Sequence, residues 1–235
     1  AALEFAFDHL FARHPGMRTR FITGEAGRGA QEILPHTPFT LQIEDVSAEP
    51  AAEREAYVAR RVREEIGRPF SLTQGDLSRV HLIRLGSREH VLLITQHHII
   101  SDGWSVKNMF ADLKRAFLAH QNREPLQLSE LPLTYIDYAR WFNSPRFLDY
   151  HAEFKPFWVD RLGGSPEVHG LPLDKPRPAH QDSGGELVFS TIDNDLWESF
   201  KRLCQRHSTS NFIGLHALFA LLMVRQSGEK EVVIG

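Results

Sequence analysis

Residues 79 to 120 constrain the fold more than any other part of the chain. RVHLIRL (79–85) and HVLLITQ (90–96) are short apolar runs separated by GSRE, the pattern of a β-hairpin. The second run leads straight into HHIISDGWS (97–105), after which Val106, Met109, Phe110, Leu113 and Phe117 keep helical spacing to about residue 120. His97 and His98 therefore mark the corner where a buried strand ends and a helix begins. A strand chained directly to a helix specifies a mixed α/β chain, and strand ends in such folds carry loops that hold reactive groups on a rigid base.

The flanking segments extend this pattern. In AALEFAFDHLFARH, Leu3, Phe7, Leu10 and Phe11 recur at helical spacing, and the helix stops at Pro15-Gly16. MRTRFI and FTLQIEDV (39–46) read as strands. Residues 50 to 66 open with a proline suited to a first helical turn and read as a surface helix, with the Arg-Arg-Val-Arg cluster on its solvated face. Between 163 and 185 there are five glycines and four prolines with almost no large apolar side chain. We read residues 1–165 as an N-terminal lobe, 166–185 as an inter-lobe linker and 186–235 as the start of a second lobe. In that last part ELVFSTI and VVIG are expected to be strands, with helices at about 194–207 and, capped by Ser210 or Asn211, up to Gln226. The abrupt ends suggest a piece of something longer.

Composition narrows the function classes. A formal net charge of −3, from 27 basic and 30 acidic residues, gives no field that points to nucleic acid or an anionic membrane. Cys204 is the only cysteine, which excludes an intrachain disulfide and fits a reducing, cytoplasmic setting. The longest apolar run, IGLHALFALLMV, is shorter than the roughly 20 residues of a membrane span and reads as a core helix.

Adjacent histidines invite a zinc site. Neighbouring strand residues point to opposite faces, however, so His97 and His98 do not converge on one ion without a bend, and no metal is expected. Ser101 lies in the same turn, but no Gly-x-Ser-x-Gly elbow exposes a nucleophile. Turn chemistry accounts for Asp102-Gly103 and leaves the two histidines unexplained, so a catalytic histidine and a polar strand end both remain open.

At this point the residues resemble a family. HHIISDGWS is similar to the His-His-x-x-x-Asp-Gly signature of condensation domains of nonribosomal peptide synthetases. LFARHPGMRTRF (10–21), RPFSLTQGDLSRVHLIRL (68–85), YIDYARW (135–141) and LPLDKPRP (171–178) resemble further family segments in the expected order. Met17, Ser71 and Phe142 depart from the usual leucine, aspartate and glutamine, and none lies in the signature loop. Heterocyclisation domains replace the paired histidines with aspartates, and epimerisation domains follow Asp-Gly differently. Asp-Gly-Trp-Ser favours condensation.

The resemblance implies a chloramphenicol acetyltransferase-like, two-lobe α/β sandwich, here one full lobe and part of the second. It implies amide formation, in which an acceptor amine attacks a donor thioester. No cofactor binds directly, because 4'-phosphopantetheine arms of donor and acceptor peptidyl carrier proteins deliver both substrates. Adjacent adenylation and carrier domains complete the synthetase. By the same resemblance His98 positions or deprotonates the amine, His97 is mainly structural, and the Gly103 N–H helps to hold the oxyanion. Asp102 is expected in a buried turn, paired with Arg13 or Arg18, so that neutralising it would orphan a guanidinium. Tyr135, Tyr138 and Trp141 are expected to pack the lobe. A free-standing coenzyme A-dependent acyltransferase and a non-catalytic carrier-protein docking domain are the competing readings.

Overall fold

The computed structural model describes residues 1–24, 27–165, 168–180 and 188–234. Its compact units are Ala1–Phe147 and Leu148–Gly235, so the division falls ahead of the Pro/Gly-rich stretch. Within the expected linker, residues 168–180 form neither helix nor strand, and 166–167 and 181–187 lie outside the described residues.

In the first unit, α1 (Ala2–Arg13) is followed by a 3₁₀ turn, Pro15–Arg18, and by an antiparallel pair, β1 (Thr19–Thr23) and β2 (Gly29–Ile33), with Thr19 opposite Ile33 and Thr23 opposite Gly29. A second sheet has the order β3 (Gln42–Asp45), β4 (Ser78–Arg84), β5 (His90–Gln96). β3 runs parallel to β4, which requires a crossover, and α2 (Ala51–Gly67) supplies it. β4 and β5 form the expected antiparallel hairpin, Ser78 opposite Gln96.

Side-chain alternation gives β4 two different faces. Val80 and Leu82 turn into a core built by Phe7 and Leu10 of α1 and by Met109, Leu113 and Ala116 of α3 (Gly103–Asn122). Arg79 and His81 turn instead toward Glu65 of α2. Val106 and Phe110 share the helical spacing of Met109 and Leu113 yet stay exposed. Arg61, from the basic cluster of α2, is committed to Glu44, Glu64 and Glu65 rather than to solvent.

Gly75 ties this unit together with φ +84°, a backbone region that L side chains rarely occupy. A Cβ there would sit 2.9 Å from Arg20 Cβ and 3.0 Å from Leu34 Cδ1. Gly75→Ala should therefore lower local stability by about 1–3 kcal/mol. Hydrogen exchange at the Phe21 amide, which donates to Leu72 O at 2.8 Å, reads the change.

α4 (Tyr135–Phe142) and α5 (Pro145–Leu162) follow, then α6 (Asn194–Arg206) and α7 (Asn211–Ser227), capped by Asp193 and Ser210. Two expectations fail here. Residues 188–192 and 231–234 form no strand, because no neighbouring strand among the described residues hydrogen-bonds them, while 186, 187 and 235 lie outside the described residues. α7 is not a core helix. It packs chiefly on α6 and has no buried side chain among the described residues.

Candidate active site

The corner after β5 is built by short-range hydrogen bonds. The His97 N–H donates to Leu77 O at 3.0 Å, its Nδ1 accepts from the Ile99 N–H at 3.0 Å, and its carbonyl accepts from the Ile100 N–H at 3.1 Å. Its ring meets Phe70 edge-on, with centroids 5.7 Å apart. This ring is fixed in the wall of the fold. His98, one residue on, is exposed and lines a cavity of about 420 Å³. The two imidazoles thus diverge, and among the described residues no group of three or more His, Cys, Asp or Glu could hold a metal ion.

Asp102 starts α3 rather than pairing with a cation. Its Oδ1 accepts from the Ser105 N–H and the Ser105 hydroxyl, each at 2.7 Å, an N-cap with extended backbone angles. Those two hydrogen bonds hold its carboxyl below the usual aspartate range, with smaller contributions from the Trp104 N–H and then from His98. Contrary to expectation, neither arginine reaches it, and the residue is exposed. Arg13 Nε donates to Asp112 Oδ2 at 3.0 Å. Arg18 gives its protons to the carbonyls of Phe11, Ala12 and Leu34, tying the C-terminal end of α1 to the residue that follows β2. The aspartate that does pair with a motif arginine lies nearly three turns further along α3, at Asp112.

This relocation changes what Asp102 variants should do. Asn caps a helix as well as Asp does, so Asp102→Asn is expected to leave α3 intact, whereas Asp102→Ala frays its first turn without orphaning any guanidinium. Exchange protection at the Ser105 amide distinguishes the two.

His14, between α1 and the 3₁₀ turn, lines the cavity wall with Met17 of that turn, Thr19 and Phe21 of β1 and Gln31 of β2, and the loop before α4 contributes Leu131 and Leu133. Tyr135 lines it as well, 63% exposed, rather than packing the lobe. Tyr138 and Trp141 are also half exposed and touch mainly each other and their aromatic neighbours. The segment is anchored by a capping box in which Asp137 Oδ2 accepts from the Thr134 N–H and hydroxyl at 2.8 and 2.7 Å. Ser101 lines the cavity without a hydrogen bond to either histidine among the described residues. Gly103 is exposed at the first position of α3 and is not among the lining residues.

Sequence reasoning had passed over His14 and Tyr135 as site residues. Tyr135 was expected to pack the lobe and His14 lay inside the segment LFARHPGMRTRF, but nothing local signalled that either faced the cavity.

The architecture and sequence both have relatives. The family model described as Condensation domain matches residues 1–235. Malpinin synthetase of Mortierella alpina is 37% identical over 234 residues, covering 100% of this chain and 3% of that protein. The X-domain from teicoplanin biosynthesis superposes with a TM-score of 0.82 at 28% identity, covering 96% of this chain and 49% of its own, and a complex of the X-domain with OxyB gives 0.80. The first condensation domain of the calcium-dependent antibiotic synthetase, solved with a substrate analogue, gives 0.71 at 20% identity, covering 99% and 54%, a likeness of fold. The chain thus spans about half the length of these solved chains.

Proposed function

The chain belongs to the condensation-domain family, and from that premise we propose that its cavity forms an amide bond between a donor acyl thioester and an acceptor amine. The observation that carries this reading is the divergence of the paired histidines: His97 is tied into the fold, and His98 presents its ring to the cavity. Phosphopantetheine arms of donor and acceptor carrier proteins deliver the substrates, and no cofactor is bound directly. The neighbouring adenylation and carrier domains of a synthetase are the partners.

An α-amine has a reference pKa near 7.7–8.0, so roughly a tenth to a third is neutral between pH 7 and 7.5. Deprotonation before attack is a small part of the task. His98 orients the amine and takes the proton that becomes acidic as the C–N bond forms; the C–S bond breaks and the departing thiolate receives that proton, which returns His98 to its neutral form. The cavity wall, largely Met17, Phe21, Ile99, Leu131 and Leu133 with polar groups that include the Asp102 carboxylate, limits water that would hydrolyse the thioester.

A docking function is the second reading, favoured by the X-domain and OxyB complex among the structural relatives. Loaded donor and acceptor carriers mixed with the full-length parent separate the two. Growth of the acceptor arm by one acyl mass supports catalysis; carrier binding with no product across a range of donors supports docking.

A further inference from the structure

A second imidazole lines the same cavity and has no part in the reaction described above. His14 Nε2 lies 3.0 Å from Asp112 Oδ2, and Arg13 Nε donates to the same oxygen at 3.0 Å. The Asp112 side chain is 13% exposed, so its carboxylate is largely withdrawn from water and satisfied by two donors. A carboxylate only accepts, so the hydrogen between His14 and Asp112 belongs to Nε2. In the neutral ring the lone pair is then at Nδ1, which has no hydrogen-bond partner among the described residues and is not a buried orphan. The result is a fixed acceptor on a residue that lines the cavity, whose wall holds no lysine or arginine among the described residues. Gln31 and Gln96 nearby each offer donors and an acceptor, the complement of a peptide group rather than of a phosphate or a carboxylate.

We propose that His14 is a substrate-binding residue whose Nδ1 accepts a hydrogen bond from an amide N–H of the thioester donor, and that Asp112 is the positioning residue that fixes its tautomer. The proposal rests on the amide-forming reading. Two amide sources share this chemistry: the α-amide of an N-acylated aminoacyl group and the amides of the pantetheine arm.

The test uses the full-length parent and two unreactive pantetheine thioethers, one carrying an N-acyl-aminoacyl group and one its counterpart without the α-amide. Calorimetry gives the Kd of each for wild type, His14→Phe and His14→Gln, all with matching melting curves. His14→Phe is expected to weaken the N-acyl analogue about tenfold, the equivalent of one neutral hydrogen bond. His14→Gln, which keeps an acceptor, should recover most of the loss. If the counterpart binds as to wild type, the contacted group is the α-amide; if it weakens equally and Gln restores it, the contacted group is the arm. Unchanged affinity for both analogues in His14→Phe, or equal losses that Gln does not restore, overturns the proposal. Failure of the amide-forming reading appears separately, as wild type that binds these analogues but makes no product from loaded carriers.

Discussion

His98→Ala in the full-length parent is expected to slow amide formation about a hundredfold, the usual effect of losing an acid-base group, with carrier binding unchanged. That factor corresponds to about 2.7 kcal/mol of transition-state stabilisation. The ring is exposed and takes no hydrogen bond from the fold among the described residues, so its removal leaves no buried group unpaired. His97→Ala should behave differently. It deletes the acceptor for the Ile99 N–H and the edge contact to Phe70, and so loosens the corner itself. The two roles open to His98 separate with pH. If it removes a proton, the deficit of His98→Ala shrinks as rising pH supplies hydroxide to take that proton from the attacking nitrogen; if it orients the amine, the deficit stays constant. A His98→Ala enzyme as fast as wild type would remove the catalytic loop from consideration.

Much of this corner was legible because its causes are local. The hairpin, the turn at Asp102-Gly103 and α3 follow from alternation, turn chemistry and helical spacing within the same short span, whereas the N-cap role of Asp102 was not read. α1, the crossover α2 and the Ser210 cap of α7 were legible on the same grounds. What distant residues decide was not. Asp112 meets Arg13 and His14 across 99 and 98 residues, and nothing near either end announces the pairing. Assigning the arginine partner to Asp102 put a tertiary contact on a residue whose local duty was already complete. β2 is a solvent-edge strand, half polar, with burial alternating along GAQEI, so it lacks an apolar run to mark it. Residues 188–192 and 231–234 have strand composition but no ladder, and β-propensity without a neighbour does not make a strand. RVHLIRL likewise hides its second face, since the Arg79 and His81 side chains are polar insertions whose burial depends on a helix 14 residues upstream.

That second face carries the other large effect. Glu65 and Arg79 are 2% and 6% exposed at the side chain, and Arg79 Nε donates to Glu65 Oε2 at 2.8 Å. Arg79 Nη2 also donates to the carbonyls of Glu65 and Arg68 at 3.2 and 2.9 Å, and its guanidinium stacks on Phe70 at 3.8 Å. A cation therefore sits on the C-terminal carbonyls of α2, where the helix dipole favours it. Glu65→Ala removes its carboxylate and leaves the guanidinium buried with carbonyls alone, a loss of about 3–5 kcal/mol. Replacing both partners, Glu65→Leu with Arg79→Met, should lose less than the two single changes added together, because neither Glu65 nor Arg79 is then stranded, although the buried His81 still loses its Glu65 partner at 3.2 Å. Native-state hydrogen exchange at the β4 amides reads all three, and additive losses would show that the pair is not coupled. Acid gives an independent reading. Burial by itself would push the Glu65 carboxyl up, but the hydrogen bond from Arg79, the charge of His81 and the charges of Arg79 and Arg68 outweigh it and hold the group below the usual glutamate range. A carboxyl with a depressed native pKa contributes its full stabilisation above the ordinary glutamate value of about 4.3 and loses it as pH falls through the native value. Wild-type β4 protection should therefore fall across that acid window, and Glu65→Gln should lack the part of the fall that belongs to this residue. Equal acid limbs in the two proteins would assign the loss to Glu44, whose carboxyl is likewise held down, against its own burial, by hydrogen bonds from Arg61 and Tyr57.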